Sequence, residues 1–331
     1  MVHIYSSQAK PLLTASVIGA RGYSGLELVR LLLNHPAVDL CYGFATKPFR
    51  LSDDLMDERA AHVRCLTDAD IFNHLTDVVF LATPAEVSAD LAPKLLAAGK
   101  IVIDLSNAFR FKPEEAEYGL APFCGPWPRG SRLVANPGCY ASAINLALVP
   151  LLKHGLIRPE NLAIDAKSGT SGAGRKAAEN QLFAEVYGEC QPYRVGQHQH
   201  LPEIVQAASR FAGQAVAPHF VTHLLPVKRG ITAALFAELR DGRSLDDVEE
   251  AYAKEFSNYR LVRYGRDLAR LTRLSHVVHT PYTHISYTAV GSKLYVFSCI
   301  DNLLKGAASQ AVENLNRFLD LPLTHSLIEE E

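Results

Sequence analysis

One cysteine of the six in this chain, Cys139, sits where a reactive thiolate is favoured. An apolar run, Leu133-Val134-Ala135, enters the turn-forming triplet Asn136-Pro137-Gly138, and the apolar stretch 141–152 then reads as a buried helix. Cys139 therefore falls at or just before a helix start. Free backbone N–H groups and the positive end of the helix dipole favour a sulfur anion there. The alternative is a small apolar cysteine packed in a core. His198 and His200, in QHQHLPEI (197–204), could relay a proton during chemistry at that sulfur, or could be structural. The segment SGTSGAGRK (168–176) mixes glycines, hydroxyls and cations; it is an anion-binding loop or a hinge, and Arg175 and Lys176 favour the former.

The elements that must position these groups begin with a strand at 12–20 that runs into Gly19-Ala20-Arg21-Gly22-Tyr23-Ser24-Gly25 and a helix at 26–33. Strand, glycine turn and helix form the context for pyrophosphate binding, although the spacing is G-x-x-G-x-x-G, and a plain tight turn is the other reading. A strand at 38–45 follows. Lys47 and Arg50 then stand where an NAD site would carry an acid; with Arg21 they suit the 2′-phosphate of NADP, a solvated basic loop being the other reading. Strands at 76–82 and 100–105 enclose a helix ending near Gly99. This alternation predicts a doubly wound α/β sheet of the Rossmann type. Its strand ends place Thr83, Pro84, Ser106, Asn107 and Arg110 along the ligand crevice, with Arg110 either an anion contact or a surface residue.

The second half reads differently. Strands at 161–167 and 231–240, a Ser244-capped helix, a hairpin at 285–300 and a final helix at 305–319 predict an α+β domain with a mixed or antiparallel sheet. Residues 1–11 read as a weakly held leader and Glu329 to Glu331 as a frayed tail. A length of 331 residues predicts two domains, and a net charge of -2 gives no indication of a nucleic-acid or membrane partner. No signal peptide and no membrane-length apolar run is apparent. The scattered cysteines fit a reduced, cytoplasmic protein. No metal-ligand spacing is found.

In order, GARGYSG, DLSNAFR, YGLAPFCG, ANPGCY, SGTSGAGRK, HQHLPEI and DNLLKGAASQAVENLN make the chain resemble the N-acetyl-gamma-glutamyl-phosphate reductases, relatives of aspartate-semialdehyde dehydrogenase. The resemblance implies an NADPH-dependent acyl-phosphate reductase of arginine biosynthesis, with Cys139 as nucleophile, His198 as acid/base and His200 as second choice. It implies cofactor contacts from Gly19, Arg21, Gly22, Tyr23, Ser24, Gly25, Ser171, Gly172 and Asn302, to which the strand-end position adds Thr83 and Pro84. Arg110, Asn136, Arg175 and Lys176 are the expected substrate and phosphate contacts. It further implies a nucleotide domain of 1–138 plus 302–331, a catalytic domain of 139–301, and a homo-oligomer, dimer or tetramer. A sister acyl-phosphate reductase and a non-catalytic NADP sensor are the alternatives. Three departures stand out: Gln199 replaces the usual arginine between the histidines, Arg21 a common serine, and Pro281-Tyr282-Thr283-His284 an unlike run in relatives.

Overall fold

The computed structural model describes residues 13–175 and 179–329. The expected leader, Lys176, Glu330 and Glu331 lie outside the described residues.

Seven strands among the described residues form the first sheet: β1 (Leu13–Ile18), β2 (Val38–Ala45), β3 (Arg64–Thr67), β4 (Val78–Leu81), β5 (Ile101–Asp104), β6 (Glu117–Tyr118) and β7 (Leu133–Ala135). Their order is β3-β2-β1-β4-β5-β7-β6 and every pairing is parallel. The fully buried VVFL of β4 is what a strand covered on both faces requires. The order reverses between β1 and β4, which opens a crevice at their C-terminal ends. Helix α1 (Tyr23–Leu32) begins three residues before the expected start, because Gly22 is extended and caps it. The short α2 (Leu51–Leu55) and α3 (Ala85–Ala97) complete this layer before α4 (Cys139–Lys153).

α4 leads into the second half, and every residue from Tyr140 to Leu152 is buried. Each large apolar side chain so buried contributes roughly 1.5–3 kcal/mol. The second sheet collects β8 (Ala163–Gly169), β9 (Gln191–Pro192), β10 (His219–Leu225), β11 (Ile231–Glu238), β12 (Val262–Gly265), β13 (Thr283–Val290) and β14 (Lys293–Ile300). It is mixed, in the order β12-β13-β14-β11-β8-β10-β9. Between its strands lie α5 (Phe183–Val186), α6 (His200–Ala212), α7 (Leu245–Phe256) and α8 (Leu268–Leu271). The capping box expected at Ser244 is present, with Asp247 as its partner.

The final helix is not regular throughout. A π-helical turn, Leu304–Ala308, precedes α9 (Ser309–Phe318), with Gly306 N–H donating to Asp301 and Ala308 N–H to Leu303. α9 returns to the first sheet, where Ala311, Val312 and Leu315 share a core with β1 and α1. The halves are also tied by Arg229, from the β10–β11 loop. It donates to Glu27 of α1 at 2.8 Å and to Asp301 at 2.9 Å. Among the described residues no helix is long and apolar enough to cross a membrane.

Candidate active site

The turn after β7 delivers Cys139 to the first position of α4, with Gly138 extended before it. Two anchors hold that turn. Asn136 N–H donates to the Asp104 carbonyl at 2.8 Å, and Gly138 N–H donates to the Glu203 carboxylate at 2.7 Å. Glu203 lies in the first turn of α6 and is 1% exposed. It also accepts from the Tyr118 hydroxyl at 2.8 Å and from Arg110 at 3.1 Å. Arg110 spends its other bonds on the carbonyls of Asn136 and Leu105, both at 2.9 Å. Glycine at 138 leaves room for both side chains: a Cβ there would lie 2.4 Å from His200 Nε2 and 2.6 Å from Arg110 Nη1, so a larger residue would displace them.

A cavity of ≈ 650 Å³ opens in front of this turn. Of the residues expected at the site, Cys139, His200, Arg110, Arg175, Gly22, Tyr23, Ser24, Thr83, Pro84, Ser171, Gly172 and Asn302 line it. Asn302 accepts from Gly230 N–H at 2.7 Å and donates to Ser171 at 3.0 Å, joining the SGTSGAGRK segment to the return of the chain. Arg175 donates to the Arg21 carbonyl at 2.7 Å and lies over the Tyr23 ring. Gln199 lines the cavity and is exposed.

Other expected contacts are not on its wall. The Asn136 amide faces the final helix instead, donating to the Ala307 carbonyl and accepting from Asn314. Gly19 and Gly25 let the helix seat closely on the strand, since a Cβ at Gly25 would meet the Gly19 carbonyl at 2.2 Å. Arg21 is engaged by Asp54 of α2 at 2.9 Å.

The two histidines part company. His198 is enclosed by the rings of Tyr140, Tyr193, Phe220 and His200, and does not line the cavity. Its Nδ1 accepts the His200 backbone N–H at 3.1 Å, so it caps the start of α6. Burial pushes it down to about 4. His200 is buried yet borders the cavity, and its Nδ1 has no partner among the described residues. Burial, then Arg110, His198 and Arg194, hold it well below the ordinary imidazole range, so the resting ring is neutral.

The sulfur does not behave as the helix start alone implies. Although part of Cys139 remains open to the cavity, the packing around it desolvates the thiol and pushes it up to about 11. Arg110 and the N–H groups of Tyr140 and Cys139 pull the other way without prevailing. The resting thiol is protonated at neutral pH.

The semialdehyde dehydrogenase NAD binding domain family matches residues 14–126, and the semialdehyde dehydrogenase dimerisation domain family matches residues 139–302. An N-acetyl-gamma-glutamyl-phosphate reductase from Geobacillus stearothermophilus is 39% identical over 92% of this chain and 95% of its own length. One from Gloeobacter violaceus is 38% identical over 92% of this chain and 94% of its own. The chain belongs to the N-acetyl-gamma-glutamyl-phosphate reductase family. The fold is that of aspartate semialdehyde dehydrogenase II from Vibrio cholerae, with a TM-score of 0.75 at 18% identity over 94% of this chain and 99% of that one. An aspartate semialdehyde dehydrogenase with NADP from Candida albicans gives a TM-score of 0.72 at 16% identity, covering 93% and 98%.

Two outcomes are expected of this member of the reductase family. Alkylation of Cys139 by iodoacetamide in the ligand-free protein should rise about tenfold per pH unit from about pH 7 to about pH 10, as a raised thiol pKa dictates; a plateau near neutrality would contradict the desolvated sulfur. Glu203→Gln should lower kcat by roughly 10- to 100-fold, the worth of hydrogen bonds to one buried carboxylate, with NADPH affinity retained. Steady-state kinetics beside fluorescence titration separate the two effects.

Proposed function

We propose that this protein reduces N-acetyl-gamma-glutamyl phosphate to N-acetylglutamate 5-semialdehyde with NADPH, releasing phosphate, in arginine biosynthesis. One observation carries the reading: a single cavity joins a cysteine at a helix start to a second helix start with no acid in its first turn. The second helix start fits a dinucleotide. Tyr23 and Ser24 border the cavity, and the first-turn N–H groups of a helix suit a pyrophosphate. Asn302, Ser171, Thr83 and Pro84 line the cavity that would receive the rest of the cofactor. The Candida relative with NADP and the matched NAD binding domain support NADP(H) use.

Arg110 and Arg175 are the described cations that would hold the substrate's phosphate. A dianion beside His200 raises the imidazole, which then takes the Cys139 proton. The sulfur attacks the acyl carbon; a C–S bond forms, the C–O bond to phosphate breaks, and the proton passes from His200 to the departing phosphate. NADPH, when bound, supplies the hydride that the thioester carbon accepts. The backbone N–H groups of Cys139 and Tyr140, which face the sulfur at the start of α4, would turn to stabilise the resulting oxyanion. Collapse frees the aldehyde and returns the thiolate, which takes up a proton. In this assignment His200 is the acid/base, in place of the expected His198, and His198 positions it.

The division into two sheets supports assigning 1–138 and 302–331 to nucleotide binding and 139–301 to catalysis and assembly. The reading further makes the protein a cytoplasmic homo-oligomer, dimer or tetramer.

Phosphate-dependent reduction of NADP+ tests the function, with N-acetylglutamate 5-semialdehyde as substrate and aspartate semialdehyde as the competitor. Turnover of the acetylated substrate is expected. Cys139→Ser should lose roughly a thousandfold or more while still binding NADPH. His200→Asn should lose about a hundredfold, and His198→Asn less than that. Preference for aspartate semialdehyde would overturn the substrate assignment, and turnover by Cys139→Ser would overturn the chemistry.

A further inference from the structure

A second cavity, of ≈ 730 Å³, opens at the β12 edge of the mixed sheet, away from Cys139. Strand β12, helix α8, the turn after it and β13 wall it. Arg263, Arg266 and Arg270 face it, with His276 and the carboxylate of Asp267. Arg266 is matched by Asp246 and by Glu249. Asp267 accepts the backbone N–H of Arg270 at 3.0 Å. Arg263 lies 3.9 Å over the Tyr282 ring, and neither it nor Arg270 has a carboxylate partner among the described residues.

The second observation is His284, which also lines this cavity. It is 4% exposed, and neither ring nitrogen has a hydrogen-bond partner among the described residues. Leaving a buried polar group unpaired is costly, because its lost hydration is not replaced. Burial, then Arg263, His276 and Arg270, push the ring down to about 4, so it is neutral and offers one donor and one acceptor. Tyr282 and His284 stand together in the Pro281–His284 run, and neither lines the cavity at Cys139.

We propose that this cavity is a second ligand site, for a small multivalent oxyanion carrying phosphate or carboxylate groups. Arg263 and Arg270 supply the unmatched charge, and His284 supplies a directed hydrogen bond from the wall. Arginine forks suit both anion types, which is why the chemistry extends to both.

Isothermal titration calorimetry on the full chain with saturating NADPH tests it, with pyrophosphate and citrate titrated separately. A binding step that persists with NADPH present is expected. It should weaken about tenfold in Arg270→Ala and further in Arg270→Glu, as loss and then reversal of one charge-assisted contact require. Reductase kcat and KM should not change. Stronger binding of pyrophosphate assigns the site to phosphorylated ligands, and stronger binding of citrate to polycarboxylates. The proposal is overturned if no NADPH-resistant binding occurs or if Arg270→Ala binds like wild type. It is equally overturned if sedimentation shows Arg270→Ala dissociating the assembly, since the cavity is then covered by a second copy.

Discussion

Three donors from distant parts of the chain converge on one buried carboxylate. Glu203 takes the Gly138 N–H, the Tyr118 hydroxyl and the Arg110 guanidinium. A buried acid is costly unless it is paired and hydrogen-bonded, so this convergence is close to obligatory once Glu203 is enclosed. Its consequence is geometric. The β7–α4 turn is locked against the first turn of α6, and Cys139 and His200 are brought to the same cavity wall. Arg110 is thereby both the charge partner of Glu203 and the nearest guanidinium to the sulfur's turn.

The same economy appears between the two sheets. Arg229 spans Glu27 and Asp301, and Asp301 also accepts backbone N–H groups from Leu303, Leu304 and His279. The chain thus re-enters the first sheet at a fixed angle, and Asn302 is set beside Ser171. A buried Lys305–Glu313 pair, 2.6 Å apart and joined to Tyr259, pins the π-helical turn from the other side. The cleft between a nucleotide-type sheet and the mixed sheet is held by satisfied charges as well as by apolar packing.

Much of this was legible from residue order. The start of α4 at Cys139 followed from the Asn-Pro-Gly turn and the apolar run behind it. The boundaries of β2 matched their expected positions, and Ser244 capped α7 as its spacing required. β3, β6 and β9 are short and carry no period, so they went unpredicted, whereas the four-residue β4 and β5 were marked by their apolar runs. The site was harder, because its logic is long-range. Glu203 acquires its role only through Gly138 and Tyr118, and Arg21 is engaged by Asp54, 33 positions away. The depressed acidity of the Cys139 thiol is likewise a packing effect that no local pattern encodes. In hindsight, one signal for Glu203 was available. It stands three residues after His200, so a helix starting there places both on one face.

The central claim is covalent: the sulfur of Cys139 carries the acyl group between loss of phosphate and reduction. It is tested most directly by mixing the enzyme with N-acetyl-gamma-glutamyl phosphate in the absence of NADPH, quenching in acid and examining the peptides by mass spectrometry. The expected result is release of phosphate in proportion to active sites, with an N-acetylglutamyl adduct on the peptide containing Cys139. Phosphate release without an adduct, or an adduct on another cysteine, would contradict it.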